Sequence, residues 1–395
     1  MSVISQHDAR TGIQRVVRAV WQQLLASDHA GLDIVPVFAR RHHGYRQADP
    51  DFLTRPPSSE DDYRPVEAGP GDIFLGLDLA AHLLPRHHRQ VRAWKGRGVS
   101  INLVIYDLLP LQKPDWFARR TRRNYLRWLS FVARQADRAL CISTAVAADL
   151  RTWLTETQPR RAIKICVFPL GSDIAASSPS TGVPPDGATI LDRMRSNDAV
   201  LVVGTIEPRK GHVALLDAFE HLWSSDPAAG TQLFIVGQPG WHTEALQDRL
   251  MQHPEKGRRL HWLRGISDEF LHEMYRAARL IVMASEGEGF GLPVVEALSH
   301  GRRVLARDLP SLRALGRHPN LALFQSDRPS SLAARIVAEL AIDPLPTPAG
   351  LPTWADSVEG ILTALDLKVA EETNRGTVAS CAEPDAAIRI GTHQL

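Results

Sequence analysis

Residues Ser285–Ala297 read SEGEGFGLPVVEA and follow the apolar run LIVMA, which predicts a strand, a glycine-rich turn and then a helix. Gly287, Gly289 and Gly291 allow the backbone to approach a ligand closely and to present N–H groups to it. Pro293 suits the first turn of a helix, where its missing N–H costs nothing. Because the N-terminus of a helix favours anions, the segment predicts an anion-binding turn at the carboxyl end of a strand.

Two carboxylates, Glu288 and Glu296, flank this turn. The glycines and Pro293 prevent one continuous helix across the segment. Glu288 is therefore predicted on the turn and Glu296 in the first helical turn, and both can point into one site. Acidic residues are common at helix starts for dipole reasons alone, and for Glu296 taken singly that structural explanation is the more common one. The complete string after a strand is more specific than either carboxylate.

A second turn with ligand-binding character follows the apolar run AVLVV and reads GTIEPRKG at Gly204–Gly211. Arg209 offers a planar fork for phosphate oxygens, and Lys210 offers a mobile point charge. A solvated pair of cations at a surface turn is the alternative, but the position directly after a strand favours phosphate binding. The segment is not a P-loop, because the pattern GxxxxGK[ST] is absent.

Short apolar runs alternate with amphipathic stretches along most of the 395 residues, a pattern typical of parallel sheets built from strand–helix–strand units. Strands are predicted at 34–38, 73–77, 101–106, 139–142, 163–168, 200–203, 233–236, 261–263, 280–283 and 304–306. Helices are predicted at 13–26, 116–134, 145–154, 213–223, 244–251, 268–277, 294–299 and 331–340. The fold class is therefore α/β, and ligands are expected outside the carboxyl ends of the strands.

Two domains are expected from this length and pattern. The first spans residues 1–171, including a polar, proline-rich loop at 40–70, and the second spans residues 198–345. Residues 172–197 are rich in Ser, Pro, Gly and Thr and are predicted to form a linker between the domains. Residues 371–395 show no periodicity and are predicted to be a disordered tail.

The composition excludes several classes of protein. The chain carries 46 Lys and Arg against 44 Asp and Glu, a near balance that argues against a nucleic-acid binder. Cys141, Cys166 and Cys381 lie far apart without a CxxC pair, so neither a disulfide framework nor a zinc site is expected. The DxD pair Asp49 and Asp51 follows a polar stretch rather than an apolar strand, so no metal site is predicted there. Since no secretory signal or long apolar run is seen, a cytoplasmic location is expected.

Three segments together resemble the donor-binding domain of family 4 glycosyltransferases: PRKG at 208–211, the strand end at Val236–Gly237 and EGFGLPVVEAL at 288–298. Glu288 and Glu296 match that family's E-x7-E motif. The resemblance implies the GT-B architecture, in which two Rossmann-like domains with parallel sheets face each other across a cleft.

Further segments narrow this resemblance to a subgroup. DARTGIQRVVR at 8–18 and VIYDLLPL at 104–111 resemble bacterial enzymes, among them mannosyltransferases, that act in the synthesis of surface polysaccharides such as lipopolysaccharide. TWADSV at 353–358 resembles the start of the C-terminal helix that returns to the first domain. Residues 346–370 are therefore assigned to a crossover helix.

The resemblance also implies roles for individual residues. Glu296 would hydrogen-bond the ribose hydroxyls of a nucleotide sugar, while Arg209 and Lys210 would hold its diphosphate. From the opposite domain Gly12 would close over the phosphates, with Arg15 nearby. The candidate catalytic residues are Glu288, Arg209, Lys210 and Asp107. The remaining donor-binding candidates are Gly204, Gly289, Phe290, Gly291 and Leu292. Members of the family are typically retaining and use neither a metal nor a cofactor.

Asp107 stands where the chain departs from the family pattern. Many members carry a histidine at the position of Tyr106, and that histidine contacts the donor sugar. Asp107, predicted at the end of a strand, is the candidate for the same region. A cap of the turn that follows the strand is an equally good interpretation.

The predicted function is the transfer of a hexose from a nucleotide-diphosphate sugar to a saccharide or a lipid-linked saccharide in polysaccharide synthesis. GDP-mannose is the favoured donor from the subgroup resemblance, and UDP- and dTDP-sugars stay open. Two alternatives are a non-catalytic nucleotide-sugar-binding protein of the same fold and a nicotinamide-dependent oxidoreductase. The oxidoreductase is disfavoured, because no strand–GxGxxG–helix unit with an acidic residue about 20 positions further on is present.

Two stretches of the first half carry further predictions. Residues 116–138 interleave five aromatic residues with seven arginines. A helix with core aromatics and a solvated basic face is the favoured interpretation, and contact with anionic lipid at the inner face of the cell membrane is the alternative. Met1, Val3 and Ile4 make a poor central strand before the TGIQR segment. This predicts that the native protein carries about ten further residues upstream, enough for a strand of ordinary length.

Overall fold

The computed structural model describes residues 12–367, except residues 28, 30, 54–63, 160, 174–181, 227–229, 314, 316, 317 and 347–349. The predicted tail at 371–395 and the predicted weak first strand near residues 1–4 lie outside the described residues. The predicted α/β class is confirmed, because two separate parallel sheets are present, each with helices along it.

The first sheet has four parallel strands in the order β3-β4-β5-β6. The strands of the first half are β1 (Val37–Phe38), β2 (Arg46–Gln47), β3 (Ile73–Gly76), β4 (Ser100–Ile105), β5 (Arg138–Cys141) and β6 (Lys164–Val167). The helices of this half are α1 (Gly12–Ala26), α2 (His88–Gly96), α3 (Leu109–Gln112), α4 (Arg119–Gln135) and α5 (Thr144–Thr157). From its second residue onward β4 is buried, as expected for a strand covered on both faces.

The prediction of a strand at 34–38 is largely wrong. Only Val37–Phe38 is a strand, and it pairs antiparallel with Arg46–Gln47 inside the predicted loop at 40–70. Pro36 explains the difference, because it has no N–H to donate to a ladder. The carbonyl oxygen of Pro36 accepts from the backbone N–H of Ala48 instead, which closes a small two-stranded ribbon beside the main sheet.

The second sheet has six parallel strands in the order β12-β11-β10-β7-β8-β9. These strands are β7 (Ala199–Val203), β8 (Gln232–Val236), β9 (Leu260–Leu263), β10 (Leu280–Met283), β11 (Arg303–Arg307) and β12 (Leu321–Phe324). The helices of this half are α6 (Gly187–Arg195), α7 (His212–Ser225), α8 (Glu244–Gln252), α9 (Asp268–Ala277), α10 (Leu292–Ser299), α11 (Pro310–Arg313) and α12 (Pro329–Leu340). Apolar side chains form one core on each face of this sheet. The predicted strands are present, and β12 is an additional strand at the edge.

The predicted linker at 172–197 contains a helix that the sequence analysis missed. In α6, Leu191 and Met194 are buried in the same apolar cluster as Phe270 of α9. Residues 187–195 therefore pack on the second sheet. The helix has nine residues, too few for its short apolar stripe to be recognised beside the surrounding Pro, Gly and Thr.

The last described helix, α13 (Trp354–Ala364), returns to the first half of the chain. Thr353 and Asp356 form a capping box at its start. The backbone N–H of Trp354 donates to Asp173 Oδ1 at 3.0 Å, and its indole N–H donates to the carbonyl oxygen of Asp173 at 3.1 Å. The helix packs against α1, and its buried side chains belong to the apolar core of the first sheet.

The arginine-rich helix α4 has two distinct faces. Tyr125, Trp128 and Phe131 are buried in the core of the first sheet. Its exposed arginines are Arg119, Arg120, Arg122, Arg123, Arg127 and Arg134. This division matches the amphipathic interpretation of the segment. Within the part of the chain that the structure covers, no helix has the length and apolarity needed to cross a bilayer.

Candidate active site

The glycine-rich turn links β10 to α10 and carries Glu288 of the candidate site. Gly291 precedes α10 with φ +97°, a left-handed conformation that favours glycine. A Cβ on Gly291 would also lie 2.6 Å from Leu312 Cδ2, so a larger residue would collide there. The helix begins at Leu292 with Pro293 in its first turn, as predicted. Glu296 therefore lies one turn further into the helix than the first turn expected from the sequence.

The second turn brings two cations onto Glu288. Residues Pro208–Lys210 form a single 3₁₀ turn after β7. Lys210 Nζ lies 2.6 Å from Glu288 Oε1, and Arg209 Nη1 lies 3.4 Å from Glu288 Oε2. Arg209 Nη1 also donates to the carbonyl oxygen of Gly287 at 3.1 Å. The structure thus unites two predicted motifs that lie 78 residues apart in the sequence.

Charge determines the ionisation of this cluster. Burial opposes the charged form of Glu288, but the charges of Lys210 and Arg209 outweigh it and lower the pKa of the carboxyl to about 2. Glu207 Oε2 lies 3.0 Å from Arg209 Nε, although that contact lacks the geometry of a hydrogen bond. Two cations and two carboxylates therefore balance one another at neutral pH.

Gly204 and Gly237, after β7 and β8, allow the backbones of these two strand ends to approach each other closely. Gly204 has φ +154°, and the side chain of Lys210 lies against it, with Cε 3.6 Å from the position of an added Cβ. A Cβ on Gly237, at the end of β8, would lie 2.0 Å from the carbonyl oxygen of Gly204. The two strand ends therefore lie close together through their backbones, beside the side chain of Lys210.

Asp107 reaches the same site from the first sheet. Its Oδ1 accepts the backbone N–H of Leu109 at 3.1 Å, so it caps the turn that opens α3. Burial raises the pKa of Asp107, and the charge of Arg209 partly offsets that rise. Asp107 therefore caps the turn and lies within the electric field of the cation cluster, while its contact with a donor sugar stays a prediction.

Tyr106 stands where many members of the family carry a histidine, and its side chain has a structural role here. Its hydroxyl donates to the carbonyl oxygen of Leu77 at 2.6 Å and is buried, so its side chain belongs to the first sheet. The carbonyl oxygen of Tyr106 faces the glycine-rich turn, where a Cβ on Gly289 would lie only 1.9 Å away. Ser143 Oγ donates to the carbonyl oxygen of Gly289 at 2.7 Å. Residues at the strand ends of the first sheet therefore contact the backbone of the glycine-rich turn.

The remaining predicted residues of the turn and of α1 also lie at this junction. Phe290 and Leu292 are half-buried and pack against the apolar core of the first sheet. Gly12 begins α1, and an added Cβ there would be 3.7 Å from Leu292 Cδ1. Gly12 thus faces the N-terminus of α10 from the other half of the chain, where the resemblance places it.

Arg15, predicted near Gly12 as a donor-binding residue, lies on α1 and pairs with two carboxylates of the second half. Its Nη1 lies 2.5 Å from Glu296 Oε1 and its Nη2 lies 3.0 Å from Asp268 Oδ1. The hydroxyl of Tyr275 donates to Glu296 Oε2 at 2.9 Å. Arg15 is therefore paired with the carboxylate that is predicted to bind the ribose, and its role in donor binding stays a prediction. Helix α1 directs it there, because Arg15 lies on the turn that follows Gly12.

Asp268 and Tyr275 are site residues that sequence reasoning missed. Both lie on α9, which follows β9 and its short connection. Ser267 caps this helix through a hydrogen bond from the backbone N–H of Phe270. An acidic residue directly after a helix cap is common for dipole reasons, so only the position after a strand could have singled out Asp268. No sequence feature around Tyr275 indicated that it is a site residue.

Metal ions in proteins are held by clusters of His, Cys, Asp and Glu side chains. Among the described residues, no group of three or more His, Cys, Asp or Glu side chains could hold a metal ion. The DPD segment contacts α1 instead, where the indole N–H of Trp21 donates to the carbonyl oxygen of Pro50 at 3.1 Å.

Two parallel sheets that meet at the glycine-rich turn after β10 define the GT-B glycosyltransferase architecture. The crystal structure of HepE from Anabaena, in complex with UDP and glucose, shares this fold with a TM-score of 0.52 and 19% identity. The alignment covers 74% of this chain and 73% of that chain. Residues 197–341 match the family described as Glycosyl transferases group 1.

Curated relatives cover the first half as well. The serotype-specific mannosyltransferase WbdA of Escherichia coli is 36% identical over 376 residues, which are 93% of this chain and 44% of WbdA. The O-antigen chain mannosyltransferase B of Escherichia coli is 39% identical over 115 residues, which are 28% of this chain and 29% of the relative. The chain thus spans less than half the length of the WbdA proteins it matches. The predicted family and fold are confirmed.

Proposed function

We propose that this protein is a retaining glycosyltransferase that transfers mannose from GDP-mannose to a saccharide or lipid-linked saccharide during polysaccharide synthesis. The observation that carries the proposal is the cluster of Arg209, Lys210 and Glu288 beside the N-terminus of α10. The names of the WbdA relatives support mannose as the sugar. No metal and no cofactor take part in the proposed reaction.

The chemistry of sugar transfer fits the charges of this cluster. As the bond between the sugar C1 and the phosphate oxygen breaks, its electron pair goes to the diphosphate and positive charge develops on the sugar. Cations and N–H donors fixed beside the leaving group stabilise the charge that develops there. In a retaining, front-face reaction the acceptor oxygen bonds to C1 while its proton passes to the leaving phosphate oxygen. A protein base is then unnecessary.

Donor binding in this proposal requires an exchange of partners. Without a ligand, Lys210 and Arg209 are balanced by Glu288 and Glu207. A diphosphate brings more negative charge than one carboxylate and offers several acceptor oxygens, so it competes for the same N–H donors. Glu288 is then released toward the donor sugar, where its carboxyl group lies beside the positive charge that develops.

The ribose is proposed to bind at Glu296. A carboxylate has about four acceptor positions, and hydrogen bonds from Arg15 and Tyr275 use two of them. The ribose hydroxyls would take the remaining positions or replace Arg15, which keeps Asp268 as a partner. Arg15 would thus link closure of the two halves to nucleotide binding.

A panel of nucleotide sugars tests the proposal. Each donor is added to the purified protein, and the melting temperature and transfer to a mannose oligosaccharide are measured. A donor at about 100 times its Kd stabilises the fold by about 2.7 kcal/mol, and we expect GDP-mannose to give the largest shift and a product. If a donor binds but is neither transferred nor hydrolysed, the protein is instead a non-catalytic nucleotide-sugar-binding protein.

Glu296→Ala is expected to raise the Kd for the donor by roughly tenfold to a hundredfold while kcat changes little. The ribose contact is the same in the ground state and the transition state, so it contributes to binding rather than to turnover. Titration calorimetry and initial rates at saturating donor measure the two effects. Glu220→Ala is the matched control, since Glu220 is half-buried and paired with Arg249 away from the site. An unchanged donor Kd would contradict the ribose assignment.

Contact with a membrane is part of the proposal for a lipid-linked acceptor. The exposed arginines of α4 supply a basic face that attracts anionic headgroups. We expect the protein to co-sediment with vesicles that contain anionic lipid at low salt, and to be released as the salt concentration rises. Equal sedimentation with neutral vesicles would contradict the attraction of the basic face to anionic lipid, and no sedimentation at low salt would contradict the membrane contact itself.

A further inference from the structure

An aromatic bridge joins the two halves of the chain at one edge of the candidate site. Trp116 and Phe117 come from the segment between α3 and α4, and Trp241 comes from the turn after β8. The indole N–H of Trp241 donates to the carbonyl oxygen of Trp116 at 2.8 Å. The ring centroids of Phe117 and Trp241 are 6.1 Å apart, with an angle of 33° between the planes. None of these contacts belongs to the donor-binding residues described above.

This bridge borders the carboxylate and cation cluster. The ring of Trp116 packs on Gly287, where an added Cβ would lie 2.8 Å from Cζ3 of the indole. Gly287 precedes Glu288, and its carbonyl oxygen accepts from Arg209. The aromatic group therefore lies beside Glu288, the residue assigned to the donor sugar, rather than beside Glu296 at the ribose end.

The turn that carries Trp241 is held firmly against the phosphate-binding turn. The carbonyl oxygen of Ile206 accepts from the backbone N–H of Gly240 at 3.0 Å and from Thr243 Oγ1 at 3.1 Å. Residue His242, directly after the tryptophan, has φ +54°, a strained conformation for a residue other than glycine. Strain of this kind is kept where the surrounding structure fixes it, and it concentrates at binding sites.

Trp241 nevertheless presents its ring to solvent. It is 38% exposed and is the only aromatic residue among the exposed large apolar side chains of the described part of the chain. Its N–H already has a partner, so the open part is the apolar ring. Lys113 lies over the neighbouring Trp116, with Nζ 5.7 Å from the ring centroid, and adds a hydrogen-bond donor. A rigid ring with polar groups at its rim suits a ligand that is apolar on its face and polar on its edge.

We propose that Trp241, with Phe117 and Trp116, binds a sugar ring of the acceptor saccharide. A sugar ring has a face of C–H groups and a rim of hydroxyls, which matches this surface. The inference rests on the proposed function, because the donor's ribose, diphosphate and sugar are already assigned to Glu296, the cations and Glu288. The acceptor is the remaining substrate, and it must approach next to the donor sugar.

Two substitutions at Trp241 distinguish the contribution of its ring to sugar binding from that of its hydrogen bond to Trp116. Trp241→Ala removes the ring and the bond to Trp116, whereas Trp241→Phe keeps a ring and removes only the bond. With saturating GDP-mannose and a labelled mannotetraose as acceptor, Trp241→Ala should raise the acceptor KM about tenfold, as expected for the loss of one aromatic anchor. Trp241→Phe should stay within about threefold of the wild type. The Kd for GDP-mannose, measured by calorimetry, should be unchanged in both variants.

Met251→Ala is the matched control, because Met251 is an exposed apolar residue on α8 of the same half. It should leave both constants unchanged. The inference is overturned if Trp241→Ala keeps the wild-type acceptor KM, or if Trp241→Phe is impaired as much as Trp241→Ala. A wild-type protein that transfers mannose while Trp241→Ala behaves normally overturns this inference alone. A wild-type protein that transfers no sugar from any donor to mannotetraose overturns the proposed function together with it.

Discussion

Arg209→Ala is expected to lower kcat for sugar transfer by about 10²–10³-fold, which is the usual cost of removing one preorganised donor from a developing negative charge. Arg209 Nη1 contacts both Glu288 and the carbonyl oxygen of Gly287, so its guanidinium is fixed before a donor arrives. Because the charge on the leaving diphosphate grows during the reaction, the loss should appear in kcat and not only in the donor Kd. Initial rates at saturating donor and acceptor measure it.

Arg249→Ala is the control for this substitution. Its guanidinium is also paired with two carboxylates, Asp217 and Glu220, and it lies in the same half of the chain. It should keep the wild-type kcat, because these pairs lie outside the site. Arg209→Lys should lose less than Arg209→Ala, since it keeps the charge and loses the planar fork. A wild-type kcat in Arg209→Ala would show that the phosphate site lies elsewhere.

Most strands of both sheets were predictable from the sequence because they are apolar runs, whereas the edge strand β12 was missed. LIVM at Leu280–Met283 is an uninterrupted apolar run and gives both ends of β10 correctly. The two turns of the candidate site were predictable for the same reason, since glycines and charges directly after such runs stand out. Helix α9 at Asp268–Ala277 was also predicted with both ends correct.

Elements whose stability comes from distant partners were not predictable in the same way. Helix α6 depends on burying Leu191 and Met194 beside α9, and its own nine residues give little periodic signal. The strand expected at 34–38 is shortened by Pro36, whose missing N–H outweighs the β-branched residues around it. Both errors come from tertiary contacts or backbone chemistry that override local propensity.

The contacts between the two halves were the least predictable part of the site. Arg15 and Glu296 are separated by 281 positions, and nothing in either local pattern indicates that they pair. The same is true of Trp241 and Trp116, separated by 125 positions. Sequence reasoning placed residues on the correct strand ends, but it could not give the distance between two sheets. The pairing of Arg15 with Glu296 could not be predicted for that reason.

Gly289→Ala is expected to lower kcat/KM by more than about 100-fold while leaving each sheet folded. An added Cβ would lie 1.9 Å from the carbonyl oxygen of Tyr106 and 3.0 Å from its carbonyl carbon, and both are backbone atoms that cannot turn aside. The collision lies across the contact between the two halves, so the least costly response is to separate them. Separation would also lengthen the hydrogen bond from Ser143 Oγ to the carbonyl oxygen of Gly289.

Separation of the two halves removes catalysis because the site is built from both. Asp107 and Gly12 reach the cluster from the first half, and a misplacement of about 1 Å can cost about 10²-fold in rate. Small-angle scattering should show a larger radius of gyration, while the far-UV circular dichroism and the melting temperature stay near those of the wild type. Gly96→Ala is the control, since a Cβ on Gly96, at the end of α2, meets nothing within 4 Å. Wild-type kcat/KM in Gly289→Ala would mean that the close contact between Gly289 and Tyr106 is not required for turnover.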